Sequence, residues 1–267
     1  MNDRPLGVFD SGLGGLSVVR ALWHHLPSES IVYFGDTGRF PYGTRSPEVI
    51  RRFSRQNAAF LLERQCKAVV VACNTASAHA LRDLQEHLSV PVVGVVEPGV
   101  EAALAAHHGG RLGLLATSGT VASGAYENAL KARRPDLDLV SIAAPLFVAL
   151  VEEGWTNTPA TELIAREYTK GFAPGPFDAV ILGCTHFPLL RPVLSKVLGS
   201  GVSLVDAAEA TAAKVATVLR ETRLERAGGT PRHEYYVSDG PEKFETLGPL
   251  FLGTHVEEAR VVHIENY

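Results

Sequence analysis

Short runs of β-branched and other apolar residues recur along the chain at Leu6–Phe9, Ile31–Phe34, Ala68–Ala72, Val92–Val96, Leu112–Ala116, Leu139–Ala143, Val180–Leu182 and Val202–Val205. Most are continuously apolar rather than alternating, the pattern of strands covered on both faces. Segments of helical period lie between them. In Pro47–Arg64, Ser46 is placed to cap, Pro47 falls in the first turn, and Phe53, Ala59, Phe60 and Leu61 supply apolar faces. Strand runs alternating with helical ones predict an α/β fold of mostly parallel sheets flanked by helices.

In such sheets ligands sit beyond the carboxyl ends of the strands. The residues that follow the apolar runs are Asp10-Ser11, Asp36-Thr37, Cys73-Asn74-Thr75, Thr117-Ser118 and Cys184-Thr185-His186, all reactive or hydrogen-bonding types. A weak internal repeat relates Gly7-Val8-Phe9-Asp10-Ser11 to Gly113-Leu114-Leu115-Ala116-Thr117, and each is followed by a strand ending in cysteine. Cys73 follows Asp10 by 63 positions and Cys184 follows Thr117 by 67. Two similar halves with equivalent cysteines predict a cleft in which two thiols approach one ligand from opposite sides.

Composition narrows the classes. A chain of 267 residues with 46% hydrophobic content buries a real core in one large or two small domains, which excludes disorder. A net charge of −4 with scattered Lys and Arg gives no phosphate-binding footprint, so nucleic acid is not an expected partner. No apolar segment approaches the roughly 20 residues that span a bilayer. The residues before Leu6 lack the basic start and long apolar stretch of a secretion signal. The expectation is a cytoplasmic protein away from membranes, in which three cysteines are free thiols. Cys66, between a helix and a strand, reads as a buried small hydrophobe. Cys73 and Cys184 differ because each sits in a polar, Thr-containing turn at an equivalent place in the repeat. No Cys-x-x-Cys or His-x₃-His spacing accompanies them, so no metal is expected.

Two opposed thiols suit racemisation of an amino acid. A thiolate removes the proton from Cα on one face, a thiol returns one on the other, and the roles exchange with the enantiomer. A free cysteine titrates at ~8.5, so each thiol needs neighbours that set its protonation. His186 lies two residues after Cys184, and Asp10 or Glu152 can accept or relay a thiol proton. Ser11, Asn74, Thr75 and Thr185, with helix N-terminal amides, can bind carboxylates without arginine. Gly12-Leu13-Gly14-Gly15 invites a dinucleotide reading with Asp36 as the ribose-binding acid. The third glycine of that fingerprint falls on Ser17, however, and Asp10 would bring a carboxylate near the phosphates. A tight turn with close packing explains the glycines more simply.

The stretches Val8-Phe9-Asp10-Ser11-Gly12-Leu13-Gly14-Gly15, Asp36-Thr37 with Pro41-Tyr42-Gly43, Val70-Val71-Ala72-Cys73-Asn74-Thr75 and Leu182-Gly183-Cys184-Thr185-His186-Phe187-Pro188 resemble the glutamate racemases of the aspartate/glutamate racemase family. The resemblance covers nearly the whole chain. It implies two similar α/β domains with the active site in the cleft between them, the first formed by residues 1–95 and 209–267 and the second, inserted, by 96–208. It implies cofactor-independent interconversion of L- and D-glutamate, without pyridoxal phosphate or metal, supplying D-glutamate for peptidoglycan. By the same resemblance Cys73 and Cys184 are the acid and base, and Asp10, Glu152 and His186 tune them. Asp10, Ser11, Pro41, Tyr42, Gly43, Asn74, Thr75, Thr117, Thr120, Thr185 and His186 match substrate-binding positions. A homodimer is implied, in an arrangement the sequence does not choose.

Departures from the family pattern are few. Arg39-Phe40 precedes Pro41 where small or aliphatic residues often occur, and no extension precedes Leu6, so activation by a peptidoglycan precursor is not expected. Because His186 accompanies Cys184 while Asn74 accompanies Cys73, Cys184 is expected to act as base toward the L-enantiomer and Cys73 toward the D-enantiomer. Three alternatives stay open on the residues alone: an aspartate racemase, a two-lobed amino-acid binding protein without chemistry, and an NAD-dependent dehydrogenase.

Overall fold

The computed structural model describes residues 3–172, 177–256 and 258–267. Its strands in chain order are β1 (Leu6–Asp10), β2 (Ile31–Gly35), β3 (Ala68–Val71), β4 (Val92–Gly94), β5 (Arg111–Ala116), β6 (Leu139–Ala143), β7 (Phe177–Gly183), β8 (Ser203–Val205), β9 (His233–Val237) and β10 (Arg260–Val261). They form a six-stranded sheet of order β10-β9-β2-β1-β3-β4 and a four-stranded sheet of order β6-β5-β7-β8. Every pairing is parallel.

The repeat in the sequence is a repeat of topology. β1 lies between β2 and β3, with β4 beyond β3; β5 lies between β6 and β7, with β8 beyond β7. Cys73 follows β3 and Cys184 follows β7, so the thiols leave corresponding strands of two similar α/β units.

Both faces of the larger sheet are covered, which explains its unbroken apolar runs. Leu6, Val8, Ala68 and Val70 face a cluster with Leu16, Val19 and Leu22 of the helix Leu16–His25. Phe9, Val69 and Val71 face the other way, onto Ile50, Ala58, Phe60 and Leu61 of the helix Pro47–Glu63. Full burial of side chains of this size stabilises by about 1.5–3 kcal/mol each. No helix among the described residues is long and apolar enough to cross a membrane.

Three local expectations change. The run Val92–Val96 divides, because the strand stops at Gly94 and Val96 opens the helix Val96–Ala105, whose first turn is buried at Val96, Pro98 and Gly99. In Pro47–Glu63, Ser46 caps through Val49 N–H as expected, but Ala59 is exposed and Phe53 half-buried. The inward stripe instead takes Ser54, Asn57 and Ala58, since a polar network lies beneath this helix. β9 and β10 carry no counterpart among the predicted strands. β9 begins with His233-Glu234 at a sheet edge, which hides the period of its buried Tyr235-Tyr236-Val237 end, and β10 is only two residues long.

At the amino ends of the strands Lys67 and Glu29 form an ion pair of 2.6 Å, with 0% and 2% of their side chains exposed. Glu29 Oε1 also accepts from Arg226 N–H at 2.8 Å, tying the returning C-terminal segment to the base of the sheet. Removing one member leaves the other charge buried. Lys67→Met is expected to lower the unfolding free energy by about 3–5 kcal/mol, measured by urea denaturation. Lys67→Met with Glu29→Gln should regain part of the loss, since glutamine still accepts from the Arg226 amide.

Candidate active site

The cleft is built from strand-end turns that come within van der Waals contact across the two units. At the end of β1, the Asp10 carboxylate turns back to accept from Gly12 N–H at 3.0 Å, and Tyr33 donates to Gly12 C=O at 2.8 Å. A Cβ on Gly14 would lie 2.3 Å from Thr185 Oγ1, and one on Gly43 would lie 2.7 Å from Thr117 Cβ. These glycines therefore serve the approach of one unit to the other.

Asp36 is likewise spoken for by the protein. Fully buried, it accepts from Arg39 Nε–H at 3.0 and 2.8 Å, from Ser238 Oγ at 2.9 Å and from the Tyr42 hydroxyl. Asn57 Nδ2 donates to the same Tyr42 oxygen at 3.0 Å, and Arg39 stacks 4.0 Å over Phe53. The unusual Arg39 thus pins the loop that carries Pro41, Tyr42 and Gly43. Its neighbour Phe40 packs on the His186 ring, centroids 5.6 Å apart.

Cys73 caps the helix Asn74–His87, its sulfur accepting from Ala76 N–H at 3.4 Å and lying 3.6 Å from Ser11 Oγ. Cys184 stands between β7 and the short turn Phe187–Leu190. Both thiols line one small cavity, together with Ser11, Phe40, Pro41, Tyr42, Gly43, Asn74, Thr75, Thr117, Val148, Thr185 and His186. Three expected site residues stand one layer behind it. Thr120 joins Thr75 and Thr117 in a triangle of hydroxyls with edges of 2.9, 3.1 and 3.0 Å. Asp10 accepts from Thr185 Oγ1 at 3.4 Å. Glu152 Oε1 meets His186 Nε2 at 2.7 Å.

The two thiols sit in different fields. Burial, reinforced by the Asp10 charge, pushes Cys73 up to about 12 against the opposing Ala76 and Ser11 hydrogen bonds. It is held as a thiol at neutral pH. Burial also raises Asp10, against the attraction of His186. Beside Cys184 the neighbouring group is an imidazole. Burial alone would lower His186, but hydrogen bonds and charge from Cys184 and Glu152 overcome it and bring the imidazole to about 10. Burial acts to raise Glu152, and His186 with Lys243 outweighs it, leaving that carboxyl lowered. A carboxyl group faces one sulfur and an imidazolium the other.

Sequence reasoning missed several members of this assembly. Phe40 and Val148 are walls of the cavity, and only Phe40 carried a signal, as an odd residue before Pro41. Lys243, whose Nζ lies 2.6 Å from Glu152 Oε2, sits in an ordinary charged helix start. Tyr126, which donates to Asn74 Oδ1 at 2.6 Å, sits nine residues beyond Thr117 with no local cue.

Two parallel α/β units that share a buried cleft, with a thiol delivered from the same strand of each, define a protein of the racemase class. The model of the Asp/Glu/Hydantoin racemase family matches residues 16–215, and the chain belongs to that family. It is 47% identical over 263 residues to the glutamate racemase of Geobacter metallireducens, covering 98% of this chain and 97% of that one. Its structure matches the crystal structure of glutamate racemase from Francisella tularensis in complex with D-glutamate with a TM-score of 0.93, at 37% identity and 100% coverage of both chains. The Thermus thermophilus glutamate racemase in complex with β-chloro-D-alanine matches with a TM-score of 0.89 at 46% identity, covering 100% and 99%.

The His186–Glu152 pair sets a pH window for stability. A raised imidazole stabilises fully below its ordinary 6.5, and this contribution is lost as pH rises through about 10; the lowered carboxylate contributes above 4.5 and loses its part as pH falls. Wild type should therefore lose stability between pH 7 and pH 10, and Glu152→Gln should flatten that decline, as followed by urea midpoints across the range. Parallel curves for the two proteins would show His186 to be neutral.

Proposed function

We propose that this protein interconverts L- and D-glutamate, moving a proton on and off Cα between Cys73 and Cys184. The observation that carries the reading is the delivery of both thiols, from equivalent strand ends, to one cavity, in a chain whose full-length relatives are glutamate racemases. The thiolate on one side takes the Cα proton, leaving a carbanion whose charge spreads into the α-carboxylate. The thiol on the other side then protonates the opposite face, so the product is the mirror image and thiol and thiolate have changed places. No cofactor enters this scheme.

Each neighbouring group has a task in it. Ser11, Asn74, Thr75, Thr117 and Thr185, with backbone amides of the Tyr42–Gly43 loop and of the helix that opens at Asn74, hold the two carboxylates. The same donors stabilise the charge that develops on the α-carboxylate. Asp10 serves the Cys73 proton, and the His186 imidazolium, oriented by Glu152, stabilises an anion on Cys184. Phe40 and Val148 exclude water and strengthen these interactions. The lobes divide as residues 1–95 with 209–267 and residues 96–208. The protein works in the cytoplasm as a homodimer, and its D-glutamate serves peptidoglycan synthesis.

Removing either sulfur should be decisive. Cys73→Ala and Cys184→Ala are each expected to lose about 10²–10⁴-fold in turnover, measured by polarimetry from each enantiomer. Near-normal turnover by either variant would reject the two-thiol mechanism. Wild-type protein in deuterated solvent with no added cofactor should place deuterium at Cα of glutamate. Without exchange, a binding protein would be the better reading. Aspartate, one methylene shorter, is expected to react about 10–200-fold less efficiently, tested by side-by-side turnover.

The faces can also be assigned. Cys184, beside His186, is the base toward L-glutamate and Cys73 the base toward D-glutamate. The enantiomers have equal free energy, so kcat/KM is the same in both directions for every variant and cannot reveal the assignment. Primary deuterium isotope effects can. Cys73→Ser should show its larger Cα isotope effect from D-glutamate; the larger effect from L-glutamate would reverse the assignment.

A further inference from the structure

Behind Asn74 lies a buried polar contact to its carboxamide. Tyr126, 1% exposed, belongs to the helix Ala125–Arg133 and packs with Leu112, Leu114 and Ile181 of the four-stranded sheet. Its hydroxyl reaches across to Asn74 Oδ1 at 2.6 Å, on the first turn of a helix that belongs to the other unit. The site is tight, since a Cβ on Gly99 would lie 3.1 Å from that hydroxyl. Burial raises the phenol above its ordinary value, so it keeps its proton.

A buried hydroxyl with a proton to give must find an acceptor. Among the described residues the hydrogen-bond partner of this one is Asn74, whose carboxamide accepts only through Oδ1. That leaves Nδ2 as the donating end of a residue that lines the cavity holding both thiols. Among the described residues no acceptor hydrogen-bonds to that NH₂.

We propose that Tyr126 is a positioning residue, holding the Asn74 carboxamide with its NH₂ group directed at a substrate carboxylate. The inference rests on the glutamate reading above and adds to it the group that makes Asn74 a donor. A carboxamide turned by 180° would present its oxygen, and attraction for an anion would become repulsion. Tyr126 blocks that rotation without touching substrate. Because it reaches from one unit to the other, the donor is set only when the two units are together.

The test compares wild type, Tyr126→Phe, Asn74→Ala and the double variant, with KM and kcat measured for D- and L-glutamate. Tyr126→Phe is expected to raise KM about tenfold, the scale of a lost hydrogen bond to a charged group, while kcat stays within about twofold. Asn74→Ala should raise KM at least as much, and adding Tyr126→Phe to it should change nothing further. A merely structural Tyr126 would give multiplicative effects in the double variant, and that result, or an unaltered KM in Tyr126→Phe, overturns the proposal. If Tyr126→Phe does not fold by circular dichroism, Asn74→Asp against Asn74→Ala decides. Aspartate still accepts from Tyr126 but points an anionic oxygen at the substrate, so its KM should exceed that of Asn74→Ala by about tenfold or more; equal values overturn the orientation. Wild type without glutamate turnover overturns the glutamate reading and this inference together, whereas active wild type beside an unchanged Tyr126→Phe overturns the inference alone.

Discussion

Two turns that no side chain separates, Gly14 against Thr185–His186 and Gly43 against Thr117, set the distance between the halves of this molecule. Nearly every property of the cleft follows from that approach. A Cβ at either glycine would meet Thr185 or Thr117 at less than 3 Å and wedge the units apart. With the units held close, the cavity between them is small and both thiols are nearly buried. Burial in turn takes the Cys73 thiol away from its ordinary value and makes hydrogen bonds to Ser11, Asn74 and the threonines stronger than they would be in water.

The same closeness lets charges on one unit act on groups of the other. Asp10 leaves β1 of the six-stranded sheet, yet its field reaches His186 behind β7 of the four-stranded sheet. Lys243, on the helix Pro241–Leu252 that packs on the first unit, closes an ion pair with Glu152 of the second. The line Lys243–Glu152–His186–Cys184 therefore crosses the interface, and a separation of the units would break it at its first link. Tyr126 to Asn74 crosses in the opposite sense, from the second unit to the first. Charge state and donor orientation at the cavity are thus properties of the assembled pair of units, and neither unit holds them by itself.

What could be read from the sequence was whatever depends on local pattern. Unbroken apolar runs gave the eight strands of the repeated topology because both sheet faces are covered, and strand-end chemistry brought Ser11, Cys73, Asn74, Thr117 and Cys184 to one place in advance. The misreadings have physical reasons of their own. Val92–Val96 is apolar throughout because a buried strand hands over directly to a buried helix, and hydrophobicity alone does not mark the junction. Ala59 is apolar and reads as part of a packed face, but the helix turns Asn57 and Ser54 inward, where Asn57 meets Arg39 and Tyr42. Asp36 resembled a ligand-binding acid at a strand end, and only three dimensions show Arg39, Tyr42 and Ser238 closing on it. Lys243 and Tyr126 act over sequence separations of 91 and 52 residues, where no spacing rule operates.

The scaffold is nearly symmetric and the chemistry is not, and the reaction explains why both can be true. Mirror-image substrates need a proton relay on each face, so a duplicated strand order that delivers one thiol per half meets the geometric demand. The two-thiol reaction proposed above requires one sulfur protonated and the other able to carry charge, because two thiols have no base and two thiolates no acid. Identical surroundings would leave that choice to chance. Burial and the Asp10 charge hold Cys73 as a neutral thiol, whereas Cys184 has beside it an imidazole paired with Glu152, so the two halves offer their sulfurs different fields.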